Sequence, residues 1–212
     1  MTGAALAQND RRPSAVFLNF PYDDPFIPLL LAYIAGVCSF GLIPRAALEV
    51  AGGRRRLDKV VDLIRSCRYS FHDLSRVELD PRRPKTPRMN MPFELGLTVM
   101  ASYEKPETHT WCLFEKSHRR LLKSLSDLGG TDIYSHGGRP TGVLRQIGNV
   151  LVREGPRPPE MRELKAVYQD IRRLQPKIIQ TAGARSCYEA QVFRDLVYAA
   201  QNAVRQRLGT RS

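Results

Sequence analysis

The sequence predicts an α/β protein in which a parallel sheet of about five strands is covered by helices on both faces. Short apolar runs alternate with stretches of helical periodicity through residues 14–153, and this alternation is typical of parallel strands joined by helical crossovers. The 212 residues are 42% hydrophobic and 25% charged. This is the composition of a folded globular chain, and it excludes a disordered one.

The first strand and the first helix are marked by turn residues at their ends. Residues 15–20 form an apolar run that stops at Pro21, which indicates a buried strand. The helix that follows covers residues 25–40, because an aspartate directly before it can act as the N-cap and Gly41 comes at its end.

The later elements continue the alternation. Residues 56–67 place four apolar side chains at i, i+3, i+4 and i+7, which is one stripe along a helix. The other predicted strands are one that lies with its exit within 42–50, then 68–75, 109–115 and a short one at 131–136. The other predicted helices are 91–103, 117–127 and 139–153. Right-handed crossovers then place the carboxyl ends of the strands at one edge of the sheet.

The proline-rich segment at 155–159 is typical of a linker and predicts a sheet domain at 14–153 and a helical extension at 156–212. Within the extension, residues 159–174 and 186–208 each predict a helix with one apolar stripe that must be buried. The stripes either pack back on the sheet domain, the more common outcome, or mediate self-association or docking on a partner protein. If the extension is a separate unit, deletion of residues 156–212 should leave a folded sheet domain.

The net charge of +12 and the pI near 10 allow two interpretations. A basic face could hold nucleic acid, a phosphorylated small molecule or an acidic partner, or the charge could serve solubility alone. Residues 153–212 contain 12 basic and 6 acidic residues and residues 1–152 contain 21 and 15, so each part carries +6. Because the charge is spread and no dense basic tail is present, nucleic-acid binding is the weakest of the functional alternatives.

The cysteines and histidines predict no metal site. The four cysteines stand without a CxxC pair, and the four histidines have no metal-ligand spacing with them. The longest apolar stretch, residues 26–40, contains Pro28 and Gly36 and is shorter than the ~20 residues that span a bilayer. With no signal-peptide pattern at the N-terminus, we expect a cytoplasmic protein without membrane contact.

Three polar segments should meet at the edge of the sheet where the strands end. They are residues 19–24, residues 72–75 and residues 88–96. Ligands of open α/β sheets bind outside the carboxyl ends of strands, at the point where the strand order reverses. The sequence therefore predicts a small-molecule site formed by these segments.

Glu94 is the candidate catalytic residue. Asn90 is a good N-cap residue and Pro92 suits a first helical turn, so Glu94 should lie close to a helix N-terminus. The helix dipole favours an ionised carboxylate there, and such a group in a cleft can stabilise or attack a cationic sugar carbon. The structural alternative is a glutamate that only caps the helix.

The candidate binding residues have structural alternatives as well. Asp73 could bind ribose hydroxyls or cap the loop after its strand. Arg45 could hold a phosphate or form a salt bridge, and Phe20 or Tyr22 could stack on a base or belong to the core. The full set of candidate substrate-binding residues is Asn19, Phe20, Tyr22, Asp24, Arg45, Asp73, Ser75 and Asn90.

The segments SFHDLSR at 70–76 and PRMNMPFELG at 87–96, in this order after VFLNFPYDD at 16–24, resemble the bacterial TIR-like proteins described as predicted nucleotide-binding proteins. They are also similar to nucleoside 2-deoxyribosyltransferases, which share a flavodoxin-like sheet. The resemblance covers about residues 14–153. It implies a flavodoxin-like strand order, in which the first and third strands are neighbours.

The resemblance also implies an activity. In this superfamily a glutamate at the start of a helix acts on an N-glycosidic bond, and Glu94 is the matching position. The Glu-Leu-Gly of residues 94–96 agrees with deoxyribosyltransferases, and Met91-Pro92 stands where TIR NADases have Trp-Cys. NAD hydrolysis by an effector of antiviral defence is therefore the leading expectation, with the nucleotide as substrate and no cofactor. The alternative is a catalytically silent module that senses a nucleotide or recruits other TIR-like chains.

Overall fold

The structure is a computed structural model that describes residues 15–50, 52, 55–76, 88–104, 106–117, 125–155 and 157–209. Within these residues, five parallel strands form one sheet in the order β2-β1-β3-β4-β5. The strands are β1 (Ala15–Asn19), β2 (Ile43–Ala46), β3 (Tyr69–Asp73), β4 (Thr110–Glu115) and β5 (Ile133–Ser135). This confirms the predicted fold class and the pairing of the first strand with the third.

Helices cover both faces of the sheet. The described helices are α1 (Ile27–Ser39), α2 (Arg56–Ser66), α3 (Asn90–Glu104), α4 (Pro140–Val150), α5 (Met161–Thr181) and α6 (Ala190–Gly209). Most of the helix predicted at 117–127 lies outside the described residues, and its end coincides with a 3-10 turn at Ser126–Leu128.

Residues 42–50 contain the predicted second strand and its exit. The strand ends at Ala46 and is followed by a 3-10 turn at Ala47–Glu49. The Glu49 carboxylate accepts a hydrogen bond of 2.8 Å from the backbone N–H of Ala46. This side-chain acceptor stabilises the turn and so fixes the point at which the strand ends.

Helix α1 is buried on all sides. Residues 29–38 are all buried, because α1 packs against the sheet and is covered by α4, α5 and α6. At Gly36 a Cβ atom would lie 2.7 Å from the end of the Ile147 side chain of α4, so a larger residue there would force that side chain to shift, and glycine allows the two helices to approach without it.

The C-terminal helices belong to the same core as the sheet. Their apolar stripes, represented by Leu164 and Ile171 in α5 and by Phe193 and Leu196 in α6, cluster with residues of α1 and β1. Of the two alternatives for these stripes, the structure shows packing back on the sheet domain. The linker signal at 155–159 therefore marks a connection and not a separate core.

The pleat of the sheet sorts the strand-end residues by face. Phe17 packs with α2 and α3, whereas Leu18 and Phe71 pack in the cluster around α1. Because side chains alternate along a strand, Asn19 follows Phe17 to the α2–α3 face and Asp73 follows Phe71 to the α1 face. Both residues lie at the predicted edge, but on opposite faces of the sheet.

Candidate functional site

A cleft of about 720 Å³ opens at the carboxyl end of β1, on the α2–α3 face of the sheet. Its size is in the range of small-molecule sites. The lining comes from the loop after β1, the turn after β2 and the N-terminal halves of α2 and α3, and comprises residues 19–22, 47, 56, 57, 60, 88–91, 93 and 94. The structure thus brings together Asn19, Phe20, Tyr22, Asn90 and Glu94 of the predicted site.

Asn19 fixes the floor of the cleft. Its buried side-chain amide Nδ2 donates hydrogen bonds of 2.8 Å to the backbone oxygen of Met91 and to Nδ1 of His72. These bonds join β1 to β3 and to the first turn of α3. Because His72 Nδ1 accepts this bond, the ring is neutral, and burial, with a smaller effect from His109, lowers its pKa to about 3.

Glu94 is the fifth residue of α3 and lines the cleft while partly buried. No described side chain donates a hydrogen bond to the Glu94 carboxylate. Glu49 differs, because its carboxylate accepts a hydrogen bond from the backbone of its own turn. Burial raises the pKa of Glu94 to about 7, and the nearby Arg56 acts in the opposite direction. Desolvation thus works against the ionised form that a helix N-terminus favours.

Arg56 and Arg88 also line the cleft. Arg88 belongs to the predicted segment 88–96 but was not named as a binding residue, and Arg56 lies outside all three predicted segments. The Arg56 guanidinium donates hydrogen bonds to the backbone oxygens of Val50 and, at 3.1 Å, Ala47, so the turn after β2 holds it in place. The sequence feature that could have predicted Arg56 as a site residue is GGRRR at 52–56, where two glycines and three arginines follow a parallel strand. This is the composition of an anion-binding turn.

Arg88 is held on the other side of the cleft. It donates a hydrogen bond of 2.7 Å to the carboxylate of Asp23, which also lies 3.5 Å from Arg76. Asp23 therefore ties the segment before α3 to the loop after β1. Of the two neighbouring aspartates, Asp24 was the predicted binding residue. It is exposed at the start of a 3-10 turn and does not line the cleft.

Aromatic side chains form one wall of the cleft. Phe20 is buried, whereas Tyr22 is 47% exposed and therefore keeps a free surface for a ligand. The Tyr22 ring stacks on Tyr188, with centroids 5.4 Å apart, and the Tyr188 O–H donates to the backbone oxygen of Asp23. The segment before α6 thus braces the loop that carries Tyr22.

Asp73 and Ser75 are not part of the cleft but of a buried network near α1. Tyr33 O–H and Ser75 N–H donate to the Asp73 carboxylate at 2.8 and 2.9 Å. The same ring nitrogen of His136, Nε2, lies 3.1 Å from Asp73 Oδ2 and 3.1 Å from Ser75 Oγ. Since Nδ1 accepts from the N–H of Gly138, the three side chains do not have the geometry of a nucleophilic triad.

Arg45 forms the salt bridge that the sequence left as an alternative. Its Nε lies 3.1 Å from each carboxylate oxygen of Glu49. Arg45 belongs to the edge strand β2 and does not line the cleft. The positive charge at the cleft comes instead from Arg56 and Arg88.

In the described part of the chain, no group of three or more histidine, cysteine, aspartate or glutamate residues is arranged to hold a metal ion. None of the described helices has both the length and the apolar character of a membrane span.

Comparisons of the chain with protein-family models, with curated proteins and with solved structures find no match. The candidate site is therefore interpreted from its own geometry and from the resemblance of its motifs.

Proposed function

We propose that the cleft binds a nucleotide and that Glu94 acts on its N-glycosidic bond, with NAD as the first candidate substrate. One observation carries the proposal. Among the described residues that line the cleft, Glu94 alone bears a carboxylate, and it lies on the same cleft as Arg56, Arg88 and the half-exposed ring of Tyr22. Arginines suit the phosphates of a nucleotide and an aromatic ring suits its base.

A single carboxylate is sufficient for this reaction on NAD. When the bond between ribose C1 and the nicotinamide nitrogen breaks, the electron pair neutralises the cationic ring, so the leaving group needs no proton. The ribose carbon becomes cationic, and the ionised Glu94 carboxylate stabilises or attacks it. Water then adds to the carbon and releases a proton, which gives ADP-ribose and nicotinamide.

The desolvation of Glu94 suits this role. A carboxylate in a partly dehydrated site interacts more strongly with a developing positive charge than one in water. The cationic nicotinamide also favours the ionised form, so substrate binding should lower the raised pKa of Glu94.

The test is incubation of the purified chain with NAD, NADP, ATP and deoxynucleosides, followed by separation of the products. We expect nicotinamide and ADP-ribose from NAD. Glu94→Gln keeps the shape but removes the charge, and a loss of about 4 kcal/mol of transition-state stabilisation lowers the rate roughly a thousandfold. Glu107→Gln, an exposed glutamate outside the cleft, is the matched control.

Near-wild-type turnover by Glu94→Gln would exclude the mechanism. Saturable binding of NAD without any product would assign the cleft to nucleotide sensing, the alternative function, and would overturn the enzymatic proposal.

A further inference from the structure

Helix α3 carries an exposed apolar stripe on the side that faces away from the sheet. The stripe consists of Met89, just before the helix, and of Phe93, Gly96, Met100 and Tyr103, which we call the α3 stripe. The four large side chains are 62%, 55%, 62% and 78% exposed in this order. The opposite side of α3, which includes Met91 and Leu95, is buried, so α3 is apolar on two sides although only one contacts the sheet.

The α3 stripe is symmetric about Gly96. Its members lie seven and three residues before Gly96 and four and seven residues after it. This spacing of alternating fours and threes is that of a helix seam. When two copies of α3 cross antiparallel at Gly96, Met89 meets Tyr103 of the other copy and Phe93 meets Met100.

Gly96 leaves room at the crossing point. A Cβ built there would meet no neighbouring element within 4 Å, and the residue is exposed. The absence of a side chain lets a second helix approach the backbone closely. A glycine in a helix interior is less stabilising than an alanine, and the close approach of a second helix is a packing reason for its presence there.

Charge does not oppose an antiparallel arrangement of two copies. Residues 90–104 contain no lysine or arginine in a chain of net charge +12. The charged groups at the two ends of the stripe are already paired within each copy, Arg88 with Asp23 and Glu104 with Arg65, so two copies meet there with little repulsion.

The area is adequate for a dimer core. The stripe spans about 21 Å at 1.5 Å per residue, and its large side chains expose on the order of 500 Å², given roughly 150–250 Å² for an aromatic side chain. A standard interface buries ~800 Å² per partner, so the stripe supplies more than half of it. An apolar patch of this size is typical of the largest patch on a monomeric protein, and such a patch is often functional.

From these observations we propose that the α3 stripe is the interface of an antiparallel, two-fold symmetric dimer of this chain. Met89 and Phe93 also line the cleft, so the proposed interface borders the cleft, but the tests below measure assembly and do not use the activity of the cleft.

The first test is the mass of the full-length protein in solution between 1 and 100 μM, measured by light scattering. We expect the wild type at twice the monomer mass of 24.0 kDa and Gly96→Glu at the monomer mass, since bulk and like charges then meet at the crossing point. Gly148→Glu is the matched control, because Gly148 also lies inside a helix with no neighbour within 4 Å of its Cβ position. It should remain dimeric, and Met100→Lys should be monomeric.

Both glutamate variants should keep the wild-type circular dichroism spectrum. A monomeric wild type at 100 μM would overturn the proposal and leave the stripe to a different occupant. If the Gly96→Glu variant is still a dimer, the α3 stripe is not the interface. Loss of the dimer in the Gly148→Glu variant as well would also overturn the assignment of the α3 stripe.

The second test is cross-linking. The four native cysteines are buried and unpaired, so a new surface thiol reports its own environment. Gly96→Cys should form a disulfide-linked dimer under mild oxidation, because the two Cα atoms near the symmetry axis can approach to about 6 Å. Gly148→Cys should not. Equal cross-linking of the two variants would contradict the proposed geometry.

Discussion

At the scale of single residues, Glu94 couples the stability of the protein to pH. Its pKa rises from 4.5 to about 7 on folding, so the folded state binds more protons than the unfolded state between these values. The free energy of unfolding therefore falls as pH rises through this window. The loss is at most about 3 kcal/mol, because one pKa unit corresponds to about 1.4 kcal/mol and residual solvent contact reduces it.

This coupling predicts a pH-dependent effect of Glu94→Gln. The variant should be more stable than the wild type toward urea at pH 8, where the wild type must hold an ionised, desolvated carboxylate. At pH 4 the two proteins should have the same free energy of unfolding, and Glu107→Gln should match the wild type at both values. An equal stability difference at both pH values would indicate a packing effect in place of the charge.

The same pKa predicts the pH dependence of the proposed reaction. An ionised Glu94 is the active form, so kcat/KM for NAD should rise with pH through about 7 and reach a plateau above it. Rates measured between pH 5 and 9 test this. A rate that falls through the same range would show that the protonated carboxyl is active, as in a general acid.

Asp73 should affect stability and not nucleotide binding. The carboxylate accepts hydrogen bonds from Tyr33 and Ser75 inside the α1 face of the sheet, away from the cleft. Asp73→Asn loses one acceptor in a buried network and should cost about 1–3 kcal/mol of unfolding free energy. Denaturation and NAD titration together check it, and a lowered NAD affinity at unchanged stability would return Asp73 to the site.

At the scale of elements, α1 explains why the C-terminal helices are part of the fold. A helix that is apolar on all sides needs cover on all sides, and α5 and α6 supply the cover that the sheet and α4 leave open. The run of residues 26–40 already contains this information, because its apolar residues do not follow a single stripe.

Deletion of residues 156–212 should therefore leave an insoluble or unfolded chain. The truncation uncovers apolar residues of α1 and removes Tyr188 from the loop that carries Tyr22. Expression of residues 1–155 with measurement of the soluble fraction and of the circular dichroism spectrum tests this expectation. A soluble, cooperatively unfolding truncation would show that the helical extension is an independent unit.

At the scale of the whole molecule, the net charge of +12 does not gather into one dense run. Arginines form ion pairs with acids on separate elements, such as Arg65 with Glu104, Arg68 with Glu154 and Arg207 with Asp170. We therefore expect only weak, sequence-independent binding to duplex DNA that is lost by about 0.2 M salt. A gel-shift titration at two salt concentrations checks this, and retained binding at high salt would favour the nucleic-acid alternative.

The local pattern of the sequence was sufficient for the order of the elements and for the edge of the sheet where the site lies. Periodicity and turn residues act over a few positions, so they predict β1, α1, α2, β3, α3 and β4 close to their observed bounds. The exit of the second strand was predicted within residues 42–50, but the residue at which the strand ends was not, because the turn there depends on a Glu49 side-chain hydrogen bond that periodicity does not represent.

Only the tertiary structure decided which predicted residues share the cleft. Alternation along a strand places neighbouring side chains on opposite faces of the sheet, but it does not show which helix covers each face. Asn19 and Asp73 were therefore predicted to share one site at the edge of the sheet, although they lie on opposite faces of it. The electrostatic surroundings of charged groups are likewise long-range, because Arg56 comes near enough to oppose the rise in the pKa of Glu94 only through the packing of α2 beside α3. The sequence alone determined the fold class and singled out Glu94, whereas its neighbours and its raised pKa depend on burial that the packing of distant segments creates.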